Sequence, residues 1–178
     1  AHEAPIIRPL SSDTLDFEGE LAVIIGKRGK HIAREQALDH VAGYSIFNDA
    51  SVREFQFHTP QWTIGKNFDD TGAFGPAFVT PDELPAGAKG LKLQTRLNGE
   101  VVQSSNTSNM IFDVASQIEI VSRSMTLEPG DVIVAGTPAG IGWARTPRLM
   151  MRDGDRCEVS IEGIGALSNP IRDEQIGR

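Results

Sequence analysis

Two glutamates two positions apart, Glu18 and Glu20, stand at the head of the apolar run Leu21-Ala-Val-Ile-Ile25. In an extended strand such residues share a face. Two like charges on one face repel, and burial strips their hydration. A divalent cation would remove both penalties; a strand start whose carboxylates face water is the other reading. A third carboxylate, Asp49, follows the segment Tyr44-Ser-Ile-Phe-Asn48. Three carboxylates with no cysteine or paired histidine beside them make an oxygen-donor set, which suits Mg²⁺, Mn²⁺ or Ca²⁺ over zinc. Spacing alone does not bring Asp49 next to Glu18.

Candidate anion contacts follow in the chain. Arg53 could grip a carboxylate with two parallel hydrogen bonds, and Lys66 could supply a point charge. Gln56 and His58 lie between them. Each of these is also a residue type that commonly sits on a surface, and His58 reads as a surface histidine or as a general base. Further on, Gly136-Thr137-Pro138-Ala-Gly140-Ile-Gly142 could bring backbone N–H groups and the Thr137 hydroxyl to a ligand. It lacks the spacing of a Walker or dinucleotide-binding loop, so a structural turn is the competing reading.

Short strands must carry these groups: Leu21–Ile25, Tyr44–Phe47, Ala77–Val79, Leu91–Leu97, Val101–Gln103, Val132–Ala135 and Cys157–Ile161. Asn98-Gly99 predicts a two-residue hairpin between the fourth and fifth of them. Ile32–Val41 predicts a helix with Gly43 as its cap. A second helix is predicted from Ile111, Val114, Ala115, Ile118 and Val121 at helical spacing, after a polar start over Asn106–Asn109. The result is an α+β domain dominated by sheet, with one core over all 178 residues.

Composition narrows the function classes. A formal net charge of −7 argues against a nucleic-acid partner. No apolar run reaches the roughly 20 residues of a membrane helix. His2, Glu3 and Pro5 stand where a secretion signal would be basic and then apolar. The single cysteine, Cys157, reads as a half-buried strand residue, and a cytoplasmic location is expected.

Taken together, these segments resemble the fumarylacetoacetate hydrolase family. The matching runs are Leu15-Asp-Phe-Glu-Gly-Glu-Leu-Ala-Val-Ile-Ile-Gly-Lys27 and Asn48-Asp-Ala-Ser-Val-Arg-Glu-Phe-Gln56. Gly65-Lys66, Leu127-Glu-Pro-Gly-Asp131, Gly136–Gly142 and Glu162–Asn169 continue the match in order over nearly the whole chain. The resemblance implies the family's mixed β-roll, commonly a homodimer. It implies Mg²⁺ or Mn²⁺, with Ca²⁺ as a third choice, on Glu18, Glu20 and Asp49. It implies Lys66 and Thr137 as contacts to a small oxo-acid substrate, with Arg53 and Gln56 lining the same pocket. The implied reaction is hydrolysis of a carbon–carbon bond in a 2,4-dioxo acid such as an acylpyruvate, in aromatic catabolism. Decarboxylation, isomerisation or hydration of an oxo-diacid is the alternative, and a metal-stabilised binding protein is the alternative of another class. Many members carry a water-activating His and Glu on a lid upstream of the first metal-binding strand. His2 and Glu3 do not match that lid, so the chain is expected to begin partway through a longer protein. Lys66 is then the one named candidate for a catalytic role.

Overall fold

A strand that is apolar at every position has to be covered on both sides. Leu21–Ile25 is such a run, and its strand, Gly19–Ile25, lies beside the mostly buried Val41–Asn48 in the middle of a four-stranded sheet. The computed structural model describes residues 1–176. Its strands are β1 (Ile6–Arg8), β2 (Leu15–Asp16), β3 (Gly19–Ile25), β4 (Val41–Asn48), β5 (Ser51–Val52) and β6 (Ala73–Val79). They continue with β7 (Lys92–Leu97), β8 (Glu100–Asn106), β9 (Val132–Val134), β10 (Arg156–Ile161) and β11 (Gly165–Asp173). Two α-helices, α1 (Arg53–Gln56) and α2 (Val114–Ser124), join short 3-10 turns between them.

One sheet runs β6-β4-β3-β9 and a second runs β1-β11-β10-β7-β8, with β2 and β5 as a separate pair. All pairings are antiparallel except β1 with β11, so both larger sheets are built by strand return and not by helical crossover. The two sheets face each other across Gly19, where an added Cβ would run into Thr95 Oγ1 of β7 and lie 2.9 Å from Val159 of β10. Only a residue without a side chain fits there, and Leu21, Val159, Leu93 and Leu167 fill the core around it. This is the mixed α+β roll expected from the sequence.

The hairpin is found where Asn98-Gly99 predicts it, with φ of 52° and 85° at the two central residues. The helical expectations need correction. Ile32–Val41 yields only a 3-10 turn over Arg34–His40, and Val41 already belongs to β4. Gly43 is not a cap: it lies opposite Ile24 in the sheet, where a Cβ would run into Phe78. Helix α2 starts three residues later than its apolar spacing suggests, because Asp113 caps it by accepting the Ser116 N–H at 2.9 Å. Ile111 therefore stays outside the helix and is 92% exposed, while Thr107–Asn109 forms its own 3-10 turn. Cys157 is fully buried in β10, not half-buried, between the sheets and against Asn48.

Candidate metal centre

Register between β3 and β4 decides which carboxylates meet. Gly19 pairs with Asn48, and one step beyond the ladder the Asp49 N–H donates to the Glu18 carbonyl at 2.9 Å. Glu18 and Asp49 are thus cross-strand neighbours on one face, and Glu20 is two residues along that face. One carboxylate oxygen from each of Glu18, Glu20 and Asp49 falls within 4.8 Å of the others. The spacing of the first two predicts their meeting; the third is brought in by the hairpin-like return of β4.

Two cations close the cluster. Lys66 ends the 3-10 turn Trp62–Lys66, and its ammonium donates to Glu18 at 2.7 Å and to Asp49 at 2.6 Å. The turn can lie that close because Gly65 packs on the backbone of Gln56, where a Cβ would come within 2.5 Å of the amide nitrogen. Arg53, at the start of α1 and 1% exposed, donates from Nη1 to Glu18 at 2.5 Å and to Gln56 at 2.9 Å. Its Nη2 is buried with no hydrogen-bond partner among the described residues. Arg53 and Gln56 therefore lie beneath the carboxylates, and Lys66 alone of the two cations reaches partly to solvent.

The glycine loop meets the cluster through its backbone. The Gly136 N–H donates to Glu20 in a short contact. The Thr137 hydroxyl turns to the other face of β3, donating to the Gly19 carbonyl at 3.1 Å and accepting from Gln103 at 2.9 Å. Gln103 was not singled out by sequence, yet its buried amide also accepts from Gly19 N–H at 3.0 Å and donates to the Pro138 carbonyl. Asp16 was missed as well. Its alternation with Glu18 and Glu20 is a signal that could have found it, since it is wholly buried and pairs with Arg53. His58 lies outside the cluster, exposed and against the Phe55 ring at 5.1 Å. His2 and Glu3 lie at β10 and β11, where His2 accepts from Ser168 N–H and Glu3 pairs with Arg156.

Electrostatics fit a cation. Burial is the largest influence on Glu20 and raises its carboxyl from 4.5 to about 8; Asp49 and Glu18 push the same way, against the Gly136 N–H and Lys66. Burial likewise raises Asp49 from its ordinary value, while Lys66 opposes. Glutamate and aspartate oxygens that resist ionisation only because they are buried together are relieved by a hard divalent ion. By contrast, a cavity of about 720 Å³ opens on the far side of β3, its walls including Leu21, Leu93, Phe112, Ile120, Val121 and Ile133. Among the described residues, no ionisable side chain lines it. Size would favour the cavity as the site; charge and buried polar groups favour the carboxylate face.

This fold and this carboxylate set place three oxygen donors that could hold a divalent ion on a mixed β-roll. The chain belongs to the fumarylacetoacetate hydrolase family: the model of the fumarylacetoacetate (FAA) hydrolase C-terminal domain matches residues 1–172. It is 47% identical over 157 residues to oxaloacetate tautomerase YisK of Bacillus subtilis, covering 88% of this chain and 52% of the relative. It is 44% identical over 168 residues to the human mitochondrial oxaloacetate tautomerase FAHD2A, covering 93% of this chain and 53% of the relative. The chain thus spans about half the length of the curated relatives it matches. Among solved structures, a fumarylacetoacetate hydrolase from Exiguobacterium antarcticum superimposes with a TM-score of 0.92 at 44% identity, over 97% of this chain and 62% of that one. A 2-hydroxyhepta-2,4-diene-1,7-dioate isomerase from Mycobacterium marinum gives 0.88 at 41% identity, over 99% and 65%.

Proposed function

We propose that the chain is the metal-binding catalytic domain of an enzyme that moves a proton on a small 2-oxo acid, interconverting keto and enol forms. The observation that carries this reading is the convergence of Glu18, Glu20 and Asp49 within 4.8 Å, under Lys66. The three carboxylates would hold Mg²⁺ or Mn²⁺, with Ca²⁺ a third choice; when bound, such an ion supplies Lewis acidity to the substrate's oxo and carboxylate oxygens. Lys66 would hold part of the negative charge that collects on the oxo oxygen as the proton of the neighbouring carbon passes to water, before that oxygen is protonated to the enol. Arg53 and Gln56 fix Glu18 from beneath, and neither reaches the open side of the cluster. Gly136 aims Glu20. Thr137 anchors its loop through the hydroxyl, which donates to Gly19 and accepts from Gln103.

Tautomerase and isomerase relatives support proton transfer as the reaction. Carbon–carbon hydrolysis of a 2,4-dioxo acid is the second reading, supported by the hydrolase from Exiguobacterium antarcticum. Both begin by stabilising the same developing oxyanion, and they differ in whether water then attacks a second carbonyl. An assay with Mn²⁺ separates them. Loss of the enol absorbance of oxaloacetate without pyruvate release is the expected result. Pyruvate released from an acylpyruvate would replace it with hydrolysis, and no turnover of either would leave a metal-stabilised binding protein.

A homodimer belongs to this reading, and the exposed apolar residues Ile111, Phe112, Ile120 and Val132 support it; light scattering tests it. A cytoplasmic location is proposed too. No helix among the described residues is long and apolar enough to cross a membrane.

A further inference from the structure

Asp16 is completely buried, and both of its oxygens are saturated. Oδ1 accepts the N–H groups of Phe17 and Gly142, each at 2.8 Å. Oδ2 accepts Trp143 N–H at 2.8 Å and Arg53 Nε at 2.9 Å. Gly142 lies at the far end of the loop whose first residue, Gly136, donates to Glu20. A Cβ on Gly142 would stand 2.7 Å from Asp16 Oδ1, so the loop is pressed onto this carboxylate. Arg53 bridges from Asp16 to Glu18. A single buried carboxylate therefore touches the loop at one end and a carboxylate of the metal centre, through one guanidinium, at the other.

Charge gives this bridge a consequence. Arg53 next to Glu18 would by itself oppose a metal ion on that carboxylate, because like charges repel strongly where water is excluded. Asp16 offsets it. Four formal carboxylates (Asp16, Glu18, Glu20 and Asp49) face two formal cations (Arg53 and Lys66), which leaves two negative charges for one divalent ion.

We propose that Asp16 is a positioning residue for the metal centre: it neutralises Arg53 and orients it, so that Glu18 is held in place without losing its affinity for a divalent cation. This rests on the proposed metal role of Glu18, Glu20 and Asp49. Asp16 touches neither the ion nor the substrate, and acts through Arg53 and the Gly136–Gly142 loop.

The test is a charge cycle read by Mn²⁺ affinity, from calorimetry or the spin resonance of free Mn²⁺, on the chain without substrate. Asp16→Asn leaves Arg53 uncompensated and sets an amide donor against donors, and Mn²⁺ should bind at least about tenfold more weakly. Adding Arg53→Met to Asp16→Asn removes the excess charge and should recover most of that loss, even though the double variant has lost more hydrogen bonds. A purely structural role for Asp16 makes the double variant as weak as the single one or weaker, and that result would overturn the proposal. So would native affinity in Asp16→Asn. If Asp16→Asn does not fold, Arg53→Gln alone answers with the opposite sign. Asp16 then keeps three backbone donors, and Mn²⁺ should bind at least as tightly as to the native chain; a tenfold loss there would sink the idea. Failure of the native chain to bind Mn²⁺ would instead strike at the metal reading itself.

Discussion

The two faces of β3 are made from alternate residues of one strand and have opposite character. On one, Glu18 and Glu20 meet Asp49, Lys66 and Arg53 in a buried cluster of charge. On the other, Gly19 and Leu21 face the second sheet, Gln103 and the wide apolar cavity. The difference teaches that volume is a poor guide to chemistry here. An apolar hollow can be roomy because nothing in it demands close partners, whereas buried carboxylates demand them and so assemble a compact site.

Removing one carboxylate should separate the two faces most strongly. Glu20→Gln keeps the shape of the side chain but removes a carboxylate that could ligate the ion. We expect kcat/KM to fall on the order of 10³-fold and Mn²⁺ affinity by at least about a hundredfold. The metal-free variant should be no less stable than the native chain, since a buried carboxylate that resists ionisation has been neutralised. A thermal melt and a calorimetric titration give both numbers, and retained Mn²⁺ binding would remove Glu20 from the site.

Lys66→Met comes next. If the ammonium stabilises charge that develops during the reaction, kcat/KM should fall about 10²-fold, with most of the loss in kcat. The melting temperature should change little, because the Lys66 side chain is part-exposed, at 20% of its surface. Full activity in this variant would make Lys66 a bystander that merely balances Glu18 and Asp49.

Acidity offers a finer test of the charged face. Glu20 holds its proton up to about 8 in the fold, against 4.5 ordinarily. Between those values the folded chain binds a proton that the unfolded chain has lost, so metal-free stability should fall as pH rises from about 4.5 to about 8. Metal binding must displace the same proton. Mn²⁺ affinity should therefore climb about tenfold per pH unit and level off above about 8. An affinity that is flat from pH 6 to 8 would show that Glu20 is already ionised before the ion arrives.

The smallest effect is expected on the apolar face. Phe112→Ser alters the wall of the cavity, and both Mn²⁺ affinity and kcat/KM should stay within about twofold of native. A large loss of activity with unchanged oligomeric state would place substrate in the cavity and reverse the comparison.

Local pattern was enough for much of this molecule. The apolar run after Glu20 dictates a covered strand, Asn98-Gly99 dictates a tight hairpin, and two-residue spacing puts Glu18 and Glu20 on one face, because strand alternation and turn geometry are local properties. The family match extends that reading to Asp49, Lys66 and the glycine loop. Tertiary structure decided the rest. Ile32–Val41 is good helix sequence, but Val41 and Gly43 are needed as strand partners of Ile25 and Ile24, and sheet pairing outweighs propensity. Whether Arg53 and Gln56 lie in the open pocket or under the carboxylates depends on α1 packing against the turn that carries Lys66. The direction of the Thr137 hydroxyl depends on Gln103, 34 residues away in chain order. Gln103 became visible only in three dimensions, and the alternation that points to Asp16 says nothing of its partners, because a buried polar group is defined by residues that are distant in the chain and adjacent only once the sheets have closed.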